Sequence, residues 1–167
     1  MPRRPRFDAT ADPPLAIRDS PIHGRGGFAT ARIPAGTLLV EYAGERIDAR
    51  EARRRAAAAA GDATAPHTFV FAIDDEWAVD AGVGGNDGRW LNHSCAPNCD
   101  AIVEDGRIWI ETLRDVARGE ELTYDYALVL DEPHSAAAKA RFPCRCGAAS
   151  CRGTMLRARR PASLRRA

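Results

Sequence analysis

The 167-residue chain lacks the long apolar segments that membranes and secretion require. No stretch approaches the ~18 consecutive apolar residues of a membrane-spanning helix. The Arg- and Pro-rich start, residues 1–6, has no apolar segment like that of a secretory signal. With 45% hydrophobic and 28% charged residues the chain is also not of the disordered class. We therefore expect one globular domain in the reducing cytoplasm, with no membrane partner, as a monomer or weak dimer.

Lysine is almost absent, with one residue against 23 arginines. Together with many alanines, this bias is typical of a GC-rich genome, and the compact size suggests a bacterial protein. The net charge of +1 is a cancellation, because residues 1–73 carry +3, residues 74–132 carry −11 and residues 133–167 carry +9. Either the blocks contact charged partners of opposite sign or they neutralise each other within the fold. The Arg-rich end is a candidate contact for nucleic acid or a solvated tail.

Short strands punctuated by Gly and Pro predict a mostly β fold with one or two short helices. Residues 47–60 form the one convincing helix of the first half, and the Asp105-Gly106 turn predicts a hairpin over 101–112. Further strands are expected at 15–18, 27–30, 37–42, 68–73, 77–80 and 121–126. The predicted organisation is a flexible basic arm (1–14), a main domain (15–127), a connector (128–143), a cysteine-rich module (144–157) and a basic tail (158–167).

Three of the five cysteines, Cys144, Cys146 and Cys151, lie within eight residues. Three thiolates and one more from elsewhere would complete a tetrahedral structural zinc site, with Cys95 or Cys99 as the fourth ligand. The alternative is a disulfide pair or free thiols. The odd count and the missing secretory signal argue against disulfides.

Three other segments carry unusual polar patterns. Residues 20–28 form a Gly-rich turn that enters a strand and opens no helix, so it is not a Rossmann or P-loop cradle. Residues 89–99 (RWLNHSCAPNC) crowd polar groups into a turn. Residues 119–126 (GEELTYDY) place two tyrosines on one face of a regular strand, while the adjacent Glu120 and Glu121 are expected to be solvated turn residues or a lip for a basic peptide.

In this order, and followed by the cysteine triplet, these segments resemble the SET-domain protein lysine methyltransferases with a post-SET zinc module. The resemblance covers about residues 15–156. It implies a β-clip-like fold of small sheets around a threaded, knot-like segment (a pseudoknot), with a small C-terminal zinc knuckle. It also implies methyl transfer from S-adenosylmethionine to the side-chain amine of lysine in a basic protein, such as a histone or a basic bacterial protein.

The resemblance also implies site residues. Tyr126 would face the methyl group, and Tyr124 stands where the family alternates Phe and Tyr, which implies mono- or di-methylation. One zinc ion would be held by Cys95, Cys144, Cys146 and Cys151, which leaves Cys99 spare. The implied cofactor-binding residues are His23, Gly24, Arg25, Gly26, Phe69, Asn92, His93 and Arg145.

One departure from the family pattern concerns Phe69, because members usually carry Tyr there and a channel hydroxyl is missing. The rival expectation is therefore a catalytically weak or silent SET fold that binds a peptide or chromatin. The protein would act in the bacterial cytoplasm, or in a host cell and its nucleus after delivery.

Overall fold

The computed structural model describes residues 13–61, 69–130 and 132–158. The predicted basic tail, except residue 158, lies outside these ranges. So do residues 1–12 of the predicted arm and residue 68 at the start of a predicted strand. Among the described residues, no helix has both the length and the apolar character needed to cross a membrane.

The described residues fold into short strands and two short α-helices. In chain order the elements are β1 (Leu15–Asp19), β2 (Arg25–Ala29), β3 (Leu38–Glu41), β4 (Glu45–Asp48), α1 (Ala49–Gly61), β5 (Val70–Ala72), β6 (Trp77–Asp80), a 3-10 helix (Asp87–Trp90), β7 (Asn92–His93), β8 (Cys99–Glu104), β9 (Arg107–Thr112), β10 (Glu121–Tyr124) and α2 (Ala136–Arg141). The strands form three small sheets, in the orders β1-β2-β10-β7, β3-β9-β8 and β4-β6-β5. This confirms the predicted mostly β architecture of small sheets.

The β8–β9 hairpin follows the prediction closely. Asp105 and Gly106 have φ angles of 53° and 69°, as a two-residue turn with left-handed residues requires. The turn pairs Glu104 with Arg107, and this register buries Ile108 and Ile110 completely. The local turn chemistry therefore determines which face of the hairpin enters the core.

The first helix begins two residues later than predicted, because the chain first forms the strand β4. Ile47 is buried in the β4–β6 pair, opposite Ala78. The Asp48 carboxylate then accepts a hydrogen bond from the Glu51 amide (2.8 Å), which caps the start of α1. The predicted connector likewise contains α2, whose first turn is capped by Ser135.

The main core lies between the first two sheets. Its fully buried side chains include Ile33, Ile110, Val116 and Leu122. The segment 92–98, which contains the NHSC residues, runs beside β10. Its first two residues form β7, which pairs with β10 in parallel, and the Asn98 side chain hydrogen-bonds to the backbone of Glu121 and Thr123 in β10. The core therefore fixes β10, which ends at Tyr124 of the TYDY motif, against the strand that carries the Asn-His pair.

Candidate functional site

A cavity of about 230 Å³ opens where the Gly-rich turn, β7, the end of β10 and the C-terminal segment meet. Five of the predicted site residues line it: His23, Asn92, His93, Tyr126 and Arg145. The zinc-ligand candidate Cys144 also lies in its wall. The remaining lining residues, which the sequence did not suggest, are Ile22, Arg141, Pro143 and Met155.

The Gly-rich turn forms one wall through His23, while Gly24, Arg25 and Gly26 build the turn without lining the cavity. The amide of Ser20 donates to the carbonyl of Gly24 (2.8 Å), which closes the turn. Gly26 has no room for a side chain, since an added Cβ would lie 2.3 Å from Oε1 of Glu121. The Arg25 side chain extends away over the ring of Trp90.

Asn92 ties β7 to this turn. Its Nδ2 lies 3.2 Å from the carbonyl oxygen of His23, 2.9 Å from that of Arg25 and 2.9 Å from Oε1 of Glu121. The Asn92 side chain is buried, so these bonds satisfy an amide that would otherwise be costly to bury. The predicted cofactor residues His23 and Asn92 are thus directly bonded to each other.

His93 is held as a neutral ring. The amide of Tyr126 donates to Nδ1 of His93 (3.1 Å), so the ring proton is on Nε2, which lies 3.4 Å from Sγ of Cys95. Burial lowers the pKa of His93 and Arg152 lowers it further, while the Asp125 carboxylate opposes this. One imidazole therefore contacts both the Tyr126 backbone and a cysteine of the predicted zinc set.

The two predicted catalytic tyrosines lie together but face different surroundings. Their ring centroids are 4.8 Å apart, although β10 ends at Tyr124 and Tyr126 lies beyond it. The Tyr126 hydroxyl donates to the carbonyl of Leu91 (2.8 Å), and its ring lines the cavity. Tyr124 is buried against Phe71 and does not line the cavity. Burial raises the pKa of both phenols, and the negative charge of Glu121 adds to the effect on Tyr126.

Phe69 lies away from the cavity wall. Its ring packs edge-on against Trp90 at 5.4 Å, and its carbonyl accepts a hydrogen bond from the Tyr42 hydroxyl (2.9 Å). Tyr42 also packs on Phe71, which in turn stacks on Tyr124. Phe69 is therefore linked to the tyrosine pair through other aromatic rings. No motif in the sequence indicated Phe71, whose ring contacts both Tyr42 and Tyr124.

The four predicted zinc ligands come together. The Sγ atoms of Cys95, Cys144, Cys146 and Cys151 all lie within 4.8 Å of one another, and those of Cys95 and Cys144 are 3.7 Å apart. Zn–S bonds of ~2.3 Å in a tetrahedron place sulfurs roughly 3.8 Å apart, so the group fits a zinc ion. Cys99 is fully buried elsewhere in the main core, where burial raises its pKa to about 12.

Backbone amides surround this cysteine group as they do metal-bound thiolates. The amides of Cys95, Cys146, Arg152 and Gly153 each lie 3.4 or 3.5 Å from a cluster sulfur. Such N–H groups stabilise negative charge on sulfur. The donor set and its surroundings therefore both suit a structural zinc site.

An ion pair joins the C-terminal segment to the end of β10. The guanidinium of Arg152 binds both oxygens of Asp125, at 2.7 and 2.8 Å. Burial alone would raise the pKa of Asp125, but the hydrogen bonds from Arg152 and from the Ala127 amide lower it overall. Because Asp125 lies between the two tyrosines, this pair fixes the chain where the site is built.

Glu121 corrects the expectation of a solvated turn residue. It lies in β10 and its Oε1 accepts from both Ser20 Oγ (2.7 Å) and Asn92 Nδ2. Glu120 is likewise engaged, in an ion pair with Arg114 and a bond to Asn98. Arg114 is six positions from Glu120, but the other partners are 22 to 101 positions away, so the local sequence could not reveal them.

The charge blocks partly neutralise each other within the fold. Four acidic residues of the 74–132 block form ion pairs with arginines from the two basic blocks. These pairs are Asp80–Arg55, Asp115–Arg32, Asp125–Arg152 and Glu132–Arg141. Neutralisation of the charge blocks within the fold therefore accounts for part of the charge pattern.

The sequence is similar to a known family and to curated proteins. The family model described as "SET domain" matches residues 24–127. The chain is 40% identical over 142 residues to histone-lysine N-methyltransferase trithorax of Drosophila virilis, covering 83% of this chain and 4% of that protein. It is 39% identical over 149 residues to the "Histone-lysine N-methyltransferase, H3 lysine-4 specific" of Emericella nidulans (84% and 11%). For histone-lysine N-methyltransferase 2B of Homo sapiens the identity is 38% over 147 residues (86% and 5%). The chain thus spans a small part of these relatives' length.

Proposed function

Because the chain belongs to the SET-domain family, we propose that it transfers methyl groups from S-adenosylmethionine to the side-chain amine of lysine in a basic protein. One observation carries the proposal. His23, Asn92, His93, Tyr126 and Arg145 come from four separate parts of the sequence, yet they line a single cavity. The buried Tyr124 lies directly behind Tyr126.

The residues present fit this cofactor. S-adenosylmethionine, when bound, supplies a methyl group on a positively charged sulfur. The polar groups of Asn92 and the backbone of His23 and His93 would hold its amino-acid and adenine parts, with Arg145 over the adenine end. Gly24, Arg25 and Gly26 would act by shaping the turn, and Phe69 through its ring contact with Trp90.

The chain contributes positioning and a dry environment rather than a base. A free lysine amine has a pKa of ~10.4, and burial in a dry channel beside the positive sulfur of the cofactor would favour its uncharged, reactive form. Burial keeps the Tyr126 and Tyr124 hydroxyls protonated, so neither serves as a general base near neutral pH. The Tyr126 hydroxyl donates a hydrogen bond to the Leu91 carbonyl, which leaves its oxygen available to accept a hydrogen bond from the amine. In-line alignment then supplies much of the rate enhancement.

We assign mono- or di-methylation to this site. The ring centroids of Tyr124 and Tyr126 are only 4.8 Å apart, and a tyrosine at position 124 adds a hydroxyl to this pair that a phenylalanine would not. A more crowded site limits how many methyl groups the amine can carry. The cysteine group would hold one structural zinc ion beside the cavity, since Cys144 belongs to both.

The substrate class proposed here is a lysine-bearing basic protein, with histones and basic bacterial proteins as the two sources. Relatives named for histone H3 lysine 4 make histone H3 the first protein to test. In a bacterial cytoplasm a basic DNA-associated protein would be the target, and after delivery to a host it would be a nuclear histone.

A catalytically silent peptide-binding module is the second candidate, and Phe69 is the observation that favours it. Its ring carries no hydroxyl and packs against Trp90. On this alternative the cavity would bind cofactor and the chain would bind the basic peptide, without methyl transfer.

Methyl transfer from labelled S-adenosylmethionine to a panel of histones and basic bacterial proteins tests the proposal. We expect labelling of at least one protein, and a roughly 10-fold or greater loss of rate in Tyr126→Phe, because a buried hydrogen-bonding group is removed at the reacting atoms. Tyr124→Phe is the matched variant, since it removes the neighbouring hydroxyl. It should change the number of methyl groups per lysine, measured by mass spectrometry, more than the first transfer. No transfer to any protein, with zinc and cofactor bound, would favour the silent module.

A further inference from the structure

We propose that Glu121 is a positioning residue that fixes Asn92 and the Gly-rich turn for cofactor binding. This inference rests on the proposed function. Nothing in the sequence distinguishes Glu121 from its neighbour Glu120, and neither residue lines the cavity. The assignment comes from where the two carboxylates point.

One oxygen of Glu121 joins two chain segments that both contribute residues to the cavity wall. Oε1 accepts a hydrogen bond from Ser20 Oγ (2.7 Å), and Ser20 Oγ in turn accepts one from the Ile22 amide (3.0 Å). The same Oε1 accepts from Asn92 Nδ2 (2.9 Å). Bonds to an ionised carboxylate are about twice as strong as neutral ones, so this oxygen is a firm anchor for both segments.

The anchor also sets which way the Asn92 amide faces. Its NH2 group has two hydrogens, and its three acceptors are the carbonyls of His23 and Arg25 and the carboxylate of Glu121. All three draw the nitrogen toward the turn. The amide oxygen therefore points away from these acceptors, in a residue that lines the cavity. It is the acceptor that a cofactor amino group needs.

Close packing makes the arrangement stiff. The Glu121 carboxylate lies against Gly26, where a Cβ would come within 2.3 Å of Oε1 and 2.9 Å of the Ser20 Cβ. The strand register also fixes Glu121, since it pairs with Phe28 of β2. The carboxylate therefore occupies the space that a side chain at position 26 would need.

Glu120 provides a matched control within the same motif. Its carboxylate contacts Arg114, Asn98 and the Ala117 amide. The two side chains alternate in direction, as successive residues of an extended chain do. Removing either carboxylate costs the fold ionic hydrogen bonds, but only Glu121 contacts Asn92 and the turn.

The test is the dissociation constant for S-adenosylmethionine, measured by titration calorimetry on zinc-loaded protein, in wild type, Glu121→Leu, Glu121→Gln and Glu120→Leu. We expect Glu121→Leu to bind roughly 10-fold more weakly or worse, which corresponds to ~1.4 kcal/mol. Glu121→Gln keeps an acceptor oxygen and should recover most of the affinity. Glu120→Leu should bind as the wild type does. In turnover, Glu121→Leu should raise KM for the cofactor while kcat at saturation is retained.

Each outcome decides a question. Wild-type affinity in Glu121→Leu, or equal weakening in Glu121→Leu and Glu120→Leu, would overturn the inference and leave the proposed function intact. A wild-type chain that does not bind S-adenosylmethionine would overturn the proposed function and this inference with it. Should Glu121→Leu fail to fold by circular dichroism, Ser20→Ala removes one of the two donors with a smaller change. Ser20→Ala must then weaken binding, and unchanged affinity would refute the positioning role.

Discussion

Titration of the protein above pH ~10 tests whether its three tyrosines are buried in the folded state. The chain has three tyrosines, Tyr42, Tyr124 and Tyr126, and burial raises the pKa of each in the folded state. In an unfolded chain a tyrosine titrates near pH ~10. Folded protein should therefore show no tyrosinate in the pH range where unfolded protein shows all three.

The size of the effect on stability follows from linkage. An acid whose pKa is raised by folding keeps its proton in the native state while the unfolded chain releases it, so its contribution to stability is intact below pH ~10 and lost as the pH rises. At pH ~11 each phenol that stays fully protonated in the folded state lowers the unfolding free energy by about 1.4 kcal/mol. Because the ring of Tyr126 borders the cavity, we expect a total loss of roughly 3 to 4 kcal/mol between pH ~9 and pH ~11.

The measurement combines two signals. Tyrosinate absorbance in the near ultraviolet reports ionisation, and urea unfolding at each pH reports stability. The Cys99 thiol, whose pKa burial raises to about 12, titrates in the same range, so the series belongs in a Cys99→Ser background. Tyr42→Phe should remove about a third of both signals, as linkage for one of three phenols requires. Tyrosinate absorbance that appears near pH ~10 while the protein is still folded would refute the burial argument and the exclusion of a tyrosine base.

Three further predictions follow from the contacts around the cavity. Cys95→Ser should lose bound zinc, while Cys99→Ser should keep it, as measured by metal analysis of purified protein; equal metal content in both would refute the assigned ligand set. Arg152→Ala should lower the unfolding free energy by about 1–3 kcal/mol, because it leaves Asp125 half-buried without its partner. In a double-mutant cycle with Asp125→Asn the two losses should not add, and additive losses would contradict a direct pair. Gly26→Ala should weaken cofactor binding with little change in secondary structure, since the new Cβ forces the Glu121 carboxylate to move; unchanged affinity would refute the close packing.

Local chemistry made part of this fold predictable. The Asp105-Gly106 turn identified the β8–β9 hairpin and its register, because only left-handed residues close a two-residue turn of this kind. The helix α1 was predictable from its residues, but its start was not. The side chain of Asp48 decides where α1 begins, and Ile47 is drawn into β4 by its burial against β6.

The spacing of the cysteines predicted the metal site but not its fourth ligand. Three closely spaced thiols predicted a metal site, yet Cys95 and Cys99 were equal candidates for the fourth ligand from the residues themselves. The structure separates them by packing, because the Cys99 side chain enters the main core while Cys95 lies at the cluster. A family resemblance pointed to Cys95, since it supplies long-range positions that local patterns do not contain.

The pairing of carboxylates was the least predictable part. Glu120 and Glu121 are adjacent in the sequence, yet Glu120 pairs with the nearby Arg114 and with Asn98, whereas Glu121 bonds to Ser20 and Asn92 from distant segments. The same holds for Arg152 and Asp125, which are brought together only when the C-terminal segment folds back. Long-range ion pairs of this kind are set by tertiary structure, and no periodicity encodes them.

Two connections link the cysteine group to Tyr126. In one, the His93 ring reaches Cys95 through Nε2 and accepts from the Tyr126 amide through Nδ1. In the other, the Arg152 amide contacts Cys95 while its guanidinium binds Asp125, the residue before Tyr126. The two connections start at Cys95 and end at Tyr126 and the residue before it, so the position of the Tyr126 backbone is coupled to that of the cysteines.

Because of these two connections, the cysteine group affects the shape of the cavity more than the stability of the sheets. The fully buried side chains of the main core, such as Ile110 and Leu122, lie in the sheets, and the cysteine group contributes no residue to this core. The cavity wall does depend on it, because Cys144 is both a cluster residue and a lining residue. Removing metal from the cysteines should thus loosen the Tyr126 backbone and the cavity before the sheets unfold, since the four sulfurs lose the cation that bonds them to one another.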